Sequence, residues 1–323
     1  MLIIMPKVSV IVPVYGVERY MERCARSLFE QTLDDIEFIF VDDCSPDRSL
    51  DILNEVLEEY VDRQLQTQIV RLDQNGGLPN ARKVGLRLAT GNYIIHCDSD
   101  DWVERDMYRA MYEKAIKTNA DMVVCDFMVT DGDSFNERKE ACHTTEPMQF
   151  MENCLLRKDH WALWNKLFKR EAYSHVVHPQ EAMGEDMATT IQLVWKCQMM
   201  AYIPEPYYNY YYNPDSITKT RTIDACVHRY KQLIANAYIV LDFLEEKGLS
   251  EDMRESLVDY KNFIRSVLYP VVWQKEYYQI WNQIFPSLNR ELLLSRHIPI
   301  ADKLRVILTI LHIYPRKQHR AKK

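Results

Sequence analysis

Three carboxylates crowd four consecutive positions at Asp98-Ser99-Asp100-Asp101. Charges this close repel one another unless a cation sits among them. Mg²⁺ and Mn²⁺ choose hard oxygen ligands of this kind and often bridge a carboxylate to a substrate phosphate. The quartet therefore points to a metal-assisted site for a phosphorylated substrate. A capped turn is the competing reading. Asp101 with Glu104 resembles a helix N-cap and its capping partner, because the next segment reads as helix. Capping accounts for Asp101 and leaves Asp98 and Asp100 unexplained. A second acidic pair, Glu185-Asp186, precedes Met187, Ile191, Val194 and Trp195 at helical spacing. Acids placed there also suit a helix N-terminus.

The elements that must position these groups alternate. Val8 to Val14 is apolar and rich in valine, and reads as a strand. Residues 36–41, 68–72, 93–97 and 122–125 read as four more. Between them, Met21, Cys24 and Leu28, then Leu50, Leu53 and Leu57, recur at helical spacing. Residues 78–89, stopped near Gly91, and 107–116 read as further helices. Strand–helix alternation predicts an α/β fold with right-handed crossovers and a mostly parallel sheet. Ligands of such sheets bind beyond the carboxyl ends of the strands. Tyr15, Asp42, Asp43 and residues 98–101 all fall at such ends, so the topology gathers them along one edge. From about Ala225 the pattern becomes helical throughout, which sets a domain change near Ile223: residues 1–222, then 223–323. Trp161 and Trp164 beside Lys166 suit either core packing or an aromatic wall for a sugar or lipid.

The chain has 323 residues, 47% apolar and 27% charged, which is ordinary for a globular protein. A net charge of −7 argues against general nucleic-acid binding. Eight cysteines are scattered with no CxxC pair, so a zinc site is not expected and reduced thiols are. Met1 to Met5 lacks the basic region of a secretory signal, and no apolar run reaches the length of a membrane span. There is no GxxxxGK[ST] and no GxGxxG among only eight glycines, which removes the usual ATPase and dinucleotide readings.

Five segments in order resemble the signatures of family 2 glycosyltransferases. They are Val10-Ile11-Val12-Pro13-Val14-Tyr15, Val41-Asp42-Asp43-Cys44-Ser45-Pro46-Asp47, Asn75-Gly76-Gly77-Leu78-Pro79-Asn80-Ala81-Arg82, Asp98-Ser99-Asp100-Asp101-Trp102 and Gly184-Glu185-Asp186. Together they cover about residues 7–220. The resemblance implies a GT-A fold (Rossmann-like, mostly parallel) followed by a smaller helical region. It also implies an inverting, metal-dependent, non-processive transfer of a hexosyl or N-acetylhexosaminyl group from a nucleotide sugar, usually a UDP-sugar. It places Pro13 and Tyr15 at the base pocket, Asp43 on the base and Arg82 on the nucleotide or its phosphates. Asp98 falls on the ribose, Asp100 on Mn²⁺ or Mg²⁺, and Asp186 in the role of general base. Cys44 departs from the glycine usual in the family, and Lys83 from asparagine. The tyrosines between 207 and 212, with Ser216-Ile217-Thr218 after them, match a loop near the donor. Lys219 or Arg221 would reach the diphosphate from there, unless both belong to a solvated loop.

The acceptor implied is a saccharide or a lipid-linked saccharide, with a cytoplasmic protein peripheral to the inner membrane face in surface-polysaccharide or glycolipid synthesis. Leu304, Ile307, Leu308, Leu311 and Tyr314 share a helical face, and five cations with no acid fill residues 316–323. That tail would suit an anionic membrane surface, or else fray from a docked last helix. Two other readings compete. A sugar nucleotidyltransferase would carry a glycine-rich basic loop where Tyr15-Gly16-Val17-Glu18 stands. A non-catalytic scaffold with the same fold would have no use for the full acidic set.

Overall fold

The computed structural model describes residues 5–212, 222–295 and 298–313. Val8–Val14 forms β1, with every residue buried. A valine-rich run buried on both faces suits the middle of a parallel sheet. Indeed β2 (Ile36–Asp42) and β4 (Tyr93–His96) flank β1, both parallel to it. β3 (Thr67–Arg71) lies outside β2, again parallel. Helices α1 (Met21–Phe29), α2 (Ser49–Glu59), α3 (Val61–Gln64) and α4 (Leu78–Leu88) connect these strands. The parallel half thus follows the alternation read from the sequence.

The sheet then becomes mixed. Its remaining strands are β5 (Trp102–Val103), β6 (Met122–Thr130), β7 (Asn136–Lys139), β8 (Lys166–Lys169) and β9 (Met200–Tyr211). With them come α5 (Met107–Thr118), α6 (Pro147–Leu155) and α7 (Glu185–Trp195). Among the described residues the order is β3-β2-β1-β4-β8-β6-β9-β5, with β7 on β6. β8 runs antiparallel to both β4 and β6. β4 and β6 are therefore parallel to each other, joined through α5, and β8 fills the gap between them. Antiparallel neighbours need no crossover helix, so a short return strand can take that place.

Register decides where the site forms. Val14 lies opposite Asp42, and Ile11 opposite His96, so β1, β2 and β4 end close together. Gly85 lets α4 approach β1: a Cβ there would lie 2.4 Å from Ile11 Cγ2. All eight cysteines are free thiols.

The chain divides into two units. Met1–Cys154 with Asp159–Tyr212 makes the sheet unit, and Leu155–Lys158 with Asn213–Lys323 makes the second. The second unit is helical: α8 (Ile223–Glu246), α9 (Arg254–Ser266), α10 (Lys275–Gln283), α11 (Leu288–Leu294) and α12 (Ile300–Ile310). Thr222 caps α8, its hydroxyl accepting from the Ala225 N–H at 3.3 Å. In its core the Arg265 guanidinium stacks 4.0 Å from the buried Trp281 ring and donates to Asn289 Oδ1 at 2.7 Å. The cationic residues 316–323 lie outside the described residues.

Candidate active site

Arg82, in the second turn of α4, is the hub. Its Nη2 donates to Asp98 Oδ1 at 2.7 Å and its Nη1 to Asp186 Oδ1 at 2.6 Å. It also pairs with Glu185. Only 3% of Arg82 is exposed, so three carboxylates meet one buried guanidinium. Burial opposes its charge, but Asp186 and Asp98 hold it above its ordinary value. Asp186 sits in the first turn of α7, after Gly184, whose φ of +83° is the left-handed region that favours glycine. The helix-terminus reading and the site reading thus describe the same residues.

Asp98 follows β4. Burial first, then the charge of Asp186, raises its carboxyl in spite of Arg82. Asp100 is half-buried and pushed up to about 6, by burial and then by Asp98. Asp101 is buried, and its expected capping role is not found. Tyr208 Oη donates to Asp101 Oδ2 at 2.6 Å, and the Tyr211 N–H donates to Oδ1 at 2.7 Å. Tyr208 Oη also accepts from the Asp98 N–H at 3.1 Å. β9 offers these donors where the chain leaves β4, so Asp101 bonds across the sheet and not to α5. The Glu104 carboxylate likewise accepts from Asn209 Nδ2 on β9. The tyrosines expected in a loop are, from Tyr207 to Tyr211, part of that strand.

Asp43 follows β2 and is 3% exposed. Its two carboxylate oxygens accept from the Gly76 and Gly77 N–H groups, each at 2.7 Å. Its own N–H donates to Val14 O at 2.9 Å. Pro13 is buried within β1, whereas Tyr15 stands exposed beyond its end. Cys44 has φ +62°, which is why glycine suits that position better.

Trp164 packs in the core, its ring stacked 4.2 Å from Tyr208, and Trp161 is half-buried. Lys166 is fully buried and donates to Ala162 O and Asn165 Oδ1, both at 2.7 Å. Burial pulls its ammonium down to about 8. Arg23 is not among the residues singled out from the sequence, and Tyr208 is there only as one of the loop tyrosines, with no partner assigned. Arg23 Nη2 donates to Asp100 O at 3.2 Å, and its guanidinium lies 3.7 Å from the Trp102 ring and 4.9 Å from the Tyr211 ring. An arginine on a helix face carries no sequence signal for such a role, because its partners come from β5 and β9. Lys219 and Arg221 lie outside the described residues.

Among the described residues, no three His, Cys, Asp or Glu groups are arranged to hold a metal by themselves. Mg²⁺ and Mn²⁺ dehydrate incompletely and are commonly held by one or two carboxylates. The raised Asp100 carboxyl beside Asp98 is the donor set such a cation would relieve.

Residues 9–176 match the model of glycosyl transferase family 2. The chain is 31% identical to the uncharacterized glycosyltransferase EpsJ of Bacillus subtilis over 79% of its own length and 74% of that protein. It is 29% identical to glycosyltransferase GlyA of Streptococcus pneumoniae over 67% of its length, spanning only 32% of that longer protein. The crystal structure of S. aureus TarS 1-349 in complex with UDP-GlcNAc superposes with a TM-score of 0.70 at 18% identity, covering 95% of this chain and 88% of that one.

Proposed function

Because the chain belongs to glycosyl transferase family 2 and has a GT-A fold, we propose that it transfers a hexosyl or N-acetylhexosaminyl group from a UDP-sugar to an acceptor hydroxyl with inversion. The observation that carries this reading is the Arg82 bridge, which fixes Asp98 and Asp186 on the two nitrogens of one guanidinium. The ribose contact and the general base are thereby held a fixed distance apart. Pro13 and Tyr15 line the base pocket and Asp43 receives the base, while Arg82 stands between the nucleotide and Asp186. Asp100 would hold the Mn²⁺ or Mg²⁺ that accompanies the donor. When bound, that cation neutralises charge on the departing diphosphate.

Asp186 engages Arg82 through Oδ1, and its side chain is 27% exposed, which leaves Oδ2 to meet an acceptor. Oδ2 takes the hydroxyl proton as the acceptor oxygen bonds to the anomeric carbon. The bond from that carbon to the diphosphate breaks on the opposite face, and its electron pair leaves with the nucleoside diphosphate. One displacement inverts the centre. We place the acceptor among saccharides or lipid-linked saccharides, and the protein in the cytoplasm at the inner membrane face. Among the described residues no helix is long and apolar enough to cross a membrane.

Asp186→Asn is expected to lower transfer by about 100-fold or more, with UDP binding, read by thermal shift with Mn²⁺, unchanged. Full activity in that variant overturns the assignment of the base. Asp100→Ala is expected to abolish the gain in UDP affinity that Mn²⁺ provides. Equal affinity of the native chain with Mn²⁺ and with chelator removes the cation from the reading.

A further inference from the structure

We propose that α12 is a membrane-docking helix, lying in the interface of an anionic lipid surface. Val306 and Thr309 pack inward, at 0% and 4% exposure. The opposite side is apolar as well. Ile300, Leu304, Ile307, Leu308 and Leu311 are all exposed, from 37% at Ile307 to 76% at Ile300. At 3.6 residues per turn these five fall within an arc of about 100°. Leu293 and Leu294 of α11, which packs beside α12, are exposed too. A helix that only docked on its own unit would turn polar residues outward. An uncovered stripe of large aliphatics marks a surface that something else covers.

Charge identifies the occupant. Lys303 and Arg305 border the stripe on its two sides, but Lys303 Nζ donates to Leu293 O and Ser295 O and Arg305 lies 3.9 Å from Asp302, so the charge that selects the occupant comes from the sequence after the helix. Residues 316–323 follow with five cations and no acid, in a chain of net charge −7. An acidic protein is repelled by an anionic surface except where its cations are concentrated. Apolar burial or a cationic segment alone gives weak membrane attachment, and the two together give stable attachment. The proposal rests on the reading above only for its membrane setting, since vesicle binding is measured apart from sugar transfer.

The test is co-sedimentation of the full chain with vesicles of phosphatidylglycerol and phosphatidylcholine, against vesicles of phosphatidylcholine alone. The native chain is expected to pellet with the anionic vesicles only and to be released by high salt. Two variants are compared, Leu304→Ser with Leu308→Ser and Leu311→Ser, and the five cations of 316–323 replaced by glutamine. Each is expected to bind at least about tenfold more weakly, because each removes one of two required signals. Unchanged circular dichroism and unchanged UDP binding show that both variants are folded. The proposal is overturned by equal pelleting with neutral vesicles, or by variants that bind as the native chain does. It is also overturned by a dimer that the leucine variant dissociates while no vesicle binding occurs. Loss of transfer in solution with vesicle binding intact would count against the enzymatic reading alone.

Discussion

Arg82 holds, with one side chain, three acids that would otherwise repel. Its partners Asp98 and Asp186 lie 16 and 104 residues away in sequence. Removing one member of a buried charged cluster costs more than the cluster contributes, because the remaining charges are left unpaired. Arg82→Met is therefore expected to destabilise the fold by about 3–5 kcal/mol, read as a fall in the urea midpoint, and to abolish transfer. Arg82→Lys is expected to recover part of the stability and little of the transfer. A single ammonium cannot present two parallel donors to Asp98 and Asp186. If the lysine variant transfers at the native rate, the fork is irrelevant and Arg82 is only a counter-charge. The motif around Asn80-Ala81-Arg82 singles this arginine out in the sequence. Its engagement by carboxylates from two other elements does not show there, because pairing across 104 residues leaves no local pattern.

At the scale of elements, β9 organises the acidic turn as much as β4 does. Tyr208 donates to Asp101, accepts from the Asp98 N–H and stacks on Trp164. Tyr208→Phe keeps the ring and removes the hydroxyl, leaving a buried carboxylate oxygen and a partly buried N–H without that partner. The expected cost is about 1–3 kcal/mol, with weaker UDP binding, since Asp98 and Asp100 leave β4 through this turn. A urea midpoint and a UDP affinity equal to those of the native chain would show that β9 is a passive neighbour. The same contrast explains which elements are legible in the sequence. β1, β2 and β4 are apolar runs sealed on both faces, and such strands announce themselves by composition. β5 has two residues and β8 four, too short for any periodicity. β9 carries Pro204 and Pro206 and no steady alternation of burial, so its tyrosines read as a loop. Asp101 reads as a cap for the same reason: its partners sit on a strand that the sequence does not reveal. The candidate site is legible where a motif and a strand end coincide, at Asp43, Asp98 and Asp100.

For the whole molecule, the cysteines set an alkaline limit. All eight are free and most are buried. Burial pushes the Cys142 thiol up to about 11 and that of Cys197 to about 12, and raises Cys125 and Cys154 further. In the unfolded chain these thiols ionise near pH 8.5. Between there and their folded values the unfolded state binds fewer protons than the folded state, so stability falls as pH rises. Their contribution is complete below about pH 8.5 and is lost progressively above it. Lys166 works in the opposite direction. Its folded value of about 8 lies below that of a free lysine, so the unfolded chain holds its proton longer and stability gains from pH 8 upward. A tenfold change in a group's acidity on folding is worth about 1.4 kcal/mol, and four thiols outweigh one lysine. The urea midpoint in reducing buffer is therefore expected to drop steadily between about pH 8.5 and 10. Cys154→Ala should make that slope shallower, and Lys166→Met should make it steeper. A flat midpoint across this window would mean that the thiols ionise in the folded chain, and hence that the core around β6 and α6 admits water.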